Sequence, residues 1–105
     1  ARAMLSAAQS RSEAAAVGLL GELSENLAAL EAARRTEVLA GSSLLPQAEV
    51  TFQSALAAYE NGKVDFATLL DAQRQILRAK QERLKAQAEA QMRLAEIERI
   101  VGEDL

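Results

Sequence analysis

Asp65 and Asp71, six positions apart with Thr68 between them, are the first places to look for chemistry in this 105-residue chain. Two carboxylates on one helix face could divide acid and base roles. A spacing of six around a helix start does not put them on one face. The chain has no His and no Cys, which removes the commonest general base, the thiol nucleophile, disulfides and the commonest metal ligands together. Neither a Gly-rich phosphate loop nor a Glu-x-x-His metal motif occurs. Ser, Thr and Lys are present, but nothing in the spacing sets a base beside them. The expectation is a protein that is not an enzyme, with no cofactor and no metal site.

The elements that would carry these residues are helices. Half the residues are hydrophobic but only 3% are aromatic, and Ala and Leu supply most of the apolar share. Such a chain, with Glu, Lys, Arg and Gln making up the rest, has the composition of long helices. Small side chains bury little area each, so a single copy is expected to have a thin core. The net charge of −3 gives no electrostatic case for nucleic acid. Basic residues gather between Arg74 and Arg83, but Glu82, Glu89 and Glu96 interleave with and follow them, as on a solvated helix face. No apolar run approaches the roughly 18 residues needed to cross a bilayer as a helix, so no membrane-spanning helix is expected. The start Ala1-Arg2-Ala3 has no Met and no signal-peptide pattern, which reads as an excised or processed piece.

Apolar residues recur at helical spacing through Ala16, Leu20, Leu23, Leu27 and Leu30, and again through Val38, Leu45, Ala48, Phe52, Ala55, Leu56 and Tyr59. Two successive steps of four between Leu30 and Val38 read as a stutter in a coiled-coil seam. One helix over 1–60 would be about 90 Å long. Gly41-Ser42-Ser43 and Pro46 interrupt it, because Pro46 lacks an N–H and crowds the carbonyl of Ser42. With the seam read as continuing in phase, a kink near 41–46 is favoured over a break.

Glu60-Asn61-Gly62-Lys63-Val64-Asp65 is the clearest punctuation. Gly62 suits the left-handed conformation that ends a helix, and Asp65 suits the N-cap of the next. Val64 and Leu69 have the spacing of a hydrophobic staple. A turn over 61–64 therefore reverses the chain into a second helix over 65–101. Its apolar side carries Phe66, Leu69, Leu70, Ile76, Leu77, Leu84, Ala88, Met92, Ala95 and Val101. At about 55 Å it is shorter than the first, so Leu19, Leu20, Leu23, Leu27 and Leu30 are expected to lack an intramolecular partner.

Three segments carry a resemblance. Tyr59-Glu60-Asn61-Gly62-Lys63-Val64-Asp65-Phe66-Ala67-Thr68-Leu69-Leu70-Asp71-Ala72-Gln73 resembles the periplasmic tip of the TolC family of outer-membrane efflux proteins. Leu44-Leu45-Pro46-Gln47-Ala48-Glu49 looks like the Leu-Pro-x-Ala segment of that family's descending helix, especially in heavy-metal efflux members. Leu94-Ala95-Glu96-Ile97-Glu98-Arg99-Ile100-Val101-Gly102 is similar to the segment closing its ascending helix. Their order and spacing cover most of residues 44–102, while the N-terminal part matches only as an Ala- and Leu-rich helix.

The resemblance implies an all-α fold, a long antiparallel helical hairpin of coiled-coil type. Residues 1–60 descend and 65–101 ascend, as part of a trimeric periplasmic α-barrel in the full-length protein. It implies the periplasmic portion of an outer-membrane protein of a Gram-negative bacterium. Its partners would be a periplasmic adaptor (membrane fusion) protein and an inner-membrane pump, and its action passive conduction of exported substrates. Residue by residue, it places adaptor contact at Asn61, Gly62, Lys63 and Val64, and the pore-entrance gate at Asp71 and Thr68. Thr68 departs from the acidic residue of some members, and Val64 from a basic gate residue. A ring of Asp71 carboxylates would favour cations, while a solvated carboxylate favoured by the helix dipole explains Asp71 equally well. Two readings of other classes stand beside this one: a free-standing coiled-coil interaction module, and the hairpin of an adaptor protein, whose flanking β-domain segments are not seen here.

Overall fold

The computed structural model describes residues 2–104 and is all-helical, with no strand among them. Helix α1 spans Arg2–Leu39, a single π-turn spans Ala40–Leu44, α2 spans Leu45–Glu60 and α3 spans Phe66–Asp104. The first limb (α1, π-turn and α2) and the second (α3) form an extended hairpin of 87 × 19 × 14 Å. Ala and Leu hold both limbs helical at little entropic cost. α3 packs along both α1 and α2.

The seam between the limbs is built largely from alanine. On α3 one row of covered positions runs Leu69, Ala72, Ile76, Ala79, Ala86, Ala90, Arg93, Ile97 and Ile100, with the more exposed Arg83 at the remaining step and half-buried Leu70, Gln87, Glu89, Leu94 and Glu96 beside it. Steps of three and four alternate without a slip, as in an uninterrupted heptad. Small side chains at the contact let two helix axes come close, at the expense of area buried per residue. On α1 the seam is Leu19, Leu23, Asn26, Leu30, Ala33, Glu37 and Ala40.

This differs from the sequence expectation in several ways. Leu20, Leu27 and Val38 lie off the seam, Val38 being 64% exposed, so the stutter placed between Leu30 and Val38 does not occur. Apolar residues there occupy two adjacent stripes, and the path chosen from hydropathy crossed from one to the other. On α3, Phe66, Leu77, Leu84, Met92 and Val101 are likewise exposed. Beyond the π-turn the buried position is Ala48, followed by half-buried Phe52 and Ala55. Ala40 to Ala48 is eight residues where a heptad allows seven, so the seam does not stay in phase through Pro46. The backbone nonetheless remains helical, with Leu39, Leu44 and Leu45 all in the right-handed α region.

α3 begins at Phe66, with Asp65 as its cap, and runs through Gly102 to Asp104, beyond the expected end at residue 101. Of the residues expected to lack an intramolecular partner, Leu19, Leu23 and Leu30 are half-buried on the seam with α3, while Leu20 and Leu27 stay exposed. Arg93 reaches Asn26 across the seam, and one heptad farther Ile100, fully buried, stands level with Leu19. Residues 2–18 project past this pairing and are exposed throughout.

Candidate functional site at the hairpin tip

The tip is made by two capping arrangements back to back. At the end of α2, the Lys63 N–H donates to the Ala58 carbonyl at 2.8 Å and the Gly62 N–H to the Tyr59 carbonyl at 3.0 Å. These are the two bonds of a Schellman motif. They require a left-handed residue at Gly62, whose φ is +71°, a conformation that costs an L side chain energy. Asn61 adds a bond from its amide Nδ2 to the Ala57 carbonyl at 2.9 Å. Tyr59 and Phe66 meet edge to face across the base of the turn, ring centroids 6.1 Å apart. That contact bridges the limbs; Val64 and Leu69, whose spacing fits a staple, are both half-buried.

At the start of α3, Asp65 Oδ1 accepts from the Thr68 N–H at 3.0 Å and from the Thr68 hydroxyl at 2.8 Å. The Asp65 carbonyl accepts the first helical bond, from the Leu69 N–H at 3.4 Å. Asp65 is thus a side-chain N-cap. The Thr68 backbone and then its hydroxyl hold the Asp65 carboxyl below its ordinary value, because both donate to the ionised form.

The sequence-assigned residues fall into two groups. Asn61, Gly62 and Lys63 are exposed at the extreme of the hairpin, and Val64 is half-buried beside them. Thr68 and Asp71 lie on the first turns of α3, three residues apart and so on neighbouring positions of one face. The Thr68 hydroxyl is engaged in capping. Asp71 is exposed and faces Arg74 of its own helix, with Arg74 Nη1 3.4 Å from Asp71 Oδ1. The tip therefore offers a partner backbone groups, the Lys63 ammonium and a short acidic–basic edge.

Farther up, the structure brings together polar groups that the sequence reading missed. Asn26, nearly buried, donates from Nδ2 to the Glu22 carbonyl at 2.9 Å and accepts from Arg93 Nη1 at 3.0 Å. Arg93 Nε in turn donates to Glu89 Oε1 at 2.8 Å. Gln87 donates to Glu37 at 3.1 Å, and the Arg83 side chain lies over Gly41, where a Cβ would sit 3.4 Å from its Nε. The available signal was a polar residue at a heptad position: Asn26 between Leu23 and Leu30, and Arg83 between Ala79 and Ala86. Such residues inside a seam fix register, at some cost in stability.

The depressions between the limbs are open grooves, one floored by Ala29, Ala33 and Ala86 and rimmed by Glu82, Lys85 and Glu89. Among the described residues no group of three or more His, Cys, Asp or Glu able to hold a metal ion occurs, and no helix of theirs is long and apolar enough to cross a membrane. Compared with known protein families, curated proteins and solved structures, the chain matches none.

Proposed function

We propose that this chain is a periplasmic helical hairpin of an outer-membrane efflux channel, a tunnel segment of a tripartite export system that docks an adaptor at its tip. The observation that carries the reading is the ordered set of segments resembling the TolC family. These are Tyr59–Gln73 at the reversal of direction, Leu44–Glu49 in the descending limb and Leu94–Gly102 near the end of the ascending one. The geometry is compatible with it. A two-layer hairpin 87 Å long that leaves Leu20, Leu27, Val38, Leu77 and Leu84 exposed has faces suited to lateral neighbours. In the proposed assembly, three full-length chains enclose the tunnel and an inner-membrane pump drives export. Asn61, Gly62, Lys63 and Val64 meet the adaptor, and Asp71 with Thr68 lies at the pore entrance. Heavy metals are the cargo class that the Pro46 segment points to.

The gene from which the chain is expressed provides the decisive test. Strand-forming segments and a second, related hairpin are expected in the same open reading frame, and their absence sinks the channel reading. For the tip, Lys63→Glu in the full-length channel reverses a charge without touching the bonds that build the turn. Reduced efflux at normal channel abundance is expected, and undiminished efflux removes Lys63 from the docking surface.

A further inference from the structure

The two limbs of the hairpin do not have the same number of residues per unit of seam. α3 keeps an unbroken heptad from Leu69 to Ile100. The first limb keeps one from Leu19 to Ala40 and resumes it from Ala48, one residue late. The π-turn at Ala40–Leu44 lies in that interval. A π-turn closes its hydrogen bonds over five residues rather than four, so it takes one extra residue into a helix. Without it, an added residue would rotate everything beyond it by about 100°. Ala48, Phe52 and Ala55 would then swing off the seam.

Two other features sit on the same turn. Pro46 follows it and removes one backbone donor, which by itself could impose an irregular helix. Gly41 lies within it, under the Arg83 side chain, at the one α3 seam position that is neither apolar nor well covered. The turn is thus matched across the seam by a long polar side chain rather than by another alanine.

We propose that the π-turn Ala40–Leu44 is a one-residue phase adaptor demanded by the seam, and that Pro46 accommodates it without causing it. It is then the place along the first limb where a residue can be removed with the packing kept on both sides. Removing one residue there converts the interval from Ala40 to Ala48 into a regular heptad. α3 has no such turn, and a deletion within it throws its two halves out of phase. The adaptor is a property of the hairpin itself and holds whether or not the chain belongs to a channel.

The test uses the whole chain with Pro46→Ala as the common background, so that a proline left inside a regular α-helix does not mask the result. Thermal unfolding is followed by helical circular dichroism at several protein concentrations. Deleting Ser42 in that background is expected to leave the midpoint within about 3 °C or to raise it, while deleting exposed Gln81 from α3 lowers it by about 10 °C or more. Equal losses from the two deletions overturn the proposal. A crystal structure of the Pro46→Ala chain gives an independent reading. A π-turn retained at Ala40–Leu44 supports phase as its cause, and relaxation to plain α-helix assigns the turn to the proline and overturns the proposal.

Discussion

At Asp65 a single side chain does two jobs whose energetics are coupled to pH. Its carboxylate accepts the Thr68 N–H and hydroxyl, and these bonds lower its pKa in the folded chain. A depressed folded value means that the contribution to stability is complete above the unfolded value of about 3.9 and is lost as pH falls through the lower, folded one. The Thr68 amide is the local reporter. Its protection against hydrogen exchange, taken relative to the intrinsic rate at each pH, is expected to fall as the solution is acidified through that range. In Asp65→Asn the acceptor stays but no longer titrates, so exchange at Thr68 should lose this acid-range step. Persistence of the step would assign it to another group. Gly62 and Asp65 were both legible in the sequence because caps are local: they depend on backbone groups only a few residues away. The Tyr59–Phe66 contact was not, since spacing alone does not say which apolar pair closes a turn.

Between the helices, side-chain size is what the seam depends on. Ala72, Ala79, Ala86 and Ala90 are buried because the limbs approach closely at each of them. Enlarging one must push the axes apart or force strained rotamers. Ala79→Leu is therefore expected to cost about 1–3 kcal/mol despite its greater hydrophobicity and helix propensity, measured by chemical denaturation. A gain in stability would show that the limbs do not pack closely there. The reverse applies at Leu77 and Leu84, one or two positions away but exposed. The helical character of both limbs followed from composition and period, yet the choice among adjacent apolar stripes did not. Hydropathy prefers Leu20, Leu27 and Val38, whereas the packed surface selects Ala33, Ala40 and Asn26. Close antiparallel packing rewards small or hydrogen-bonded side chains, and no hydropathy scale contains that preference.

As a whole molecule the hairpin is two helices thick, so each helix keeps a face that the other cannot cover. In the proposed channel those faces meet neighbouring helices. Replacing Leu77 and Leu84 by Gln should then change the stability of the isolated hairpin by less than about 0.5 kcal/mol per site, while weakening the assembled trimer of the full-length channel in detergent. An unaltered trimer would show that this stripe faces no neighbour.

The sequence by itself determined that the chain is helical, that it turns back at Asn61–Val64 and that Asp65 starts the returning helix. Composition, period and capping are interactions within a turn or two of the chain. Only the tertiary structure decided that Leu19, Leu23 and Leu30 are covered by α3 while Leu20 and Leu27 are not, that Asn26 and Arg93 meet across the seam, and that one extra residue is taken up at Ala40–Leu44. Each of these depends on which residues of the other limb stand opposite, and that pairing exists only once two helices some sixty residues apart in sequence lie side by side.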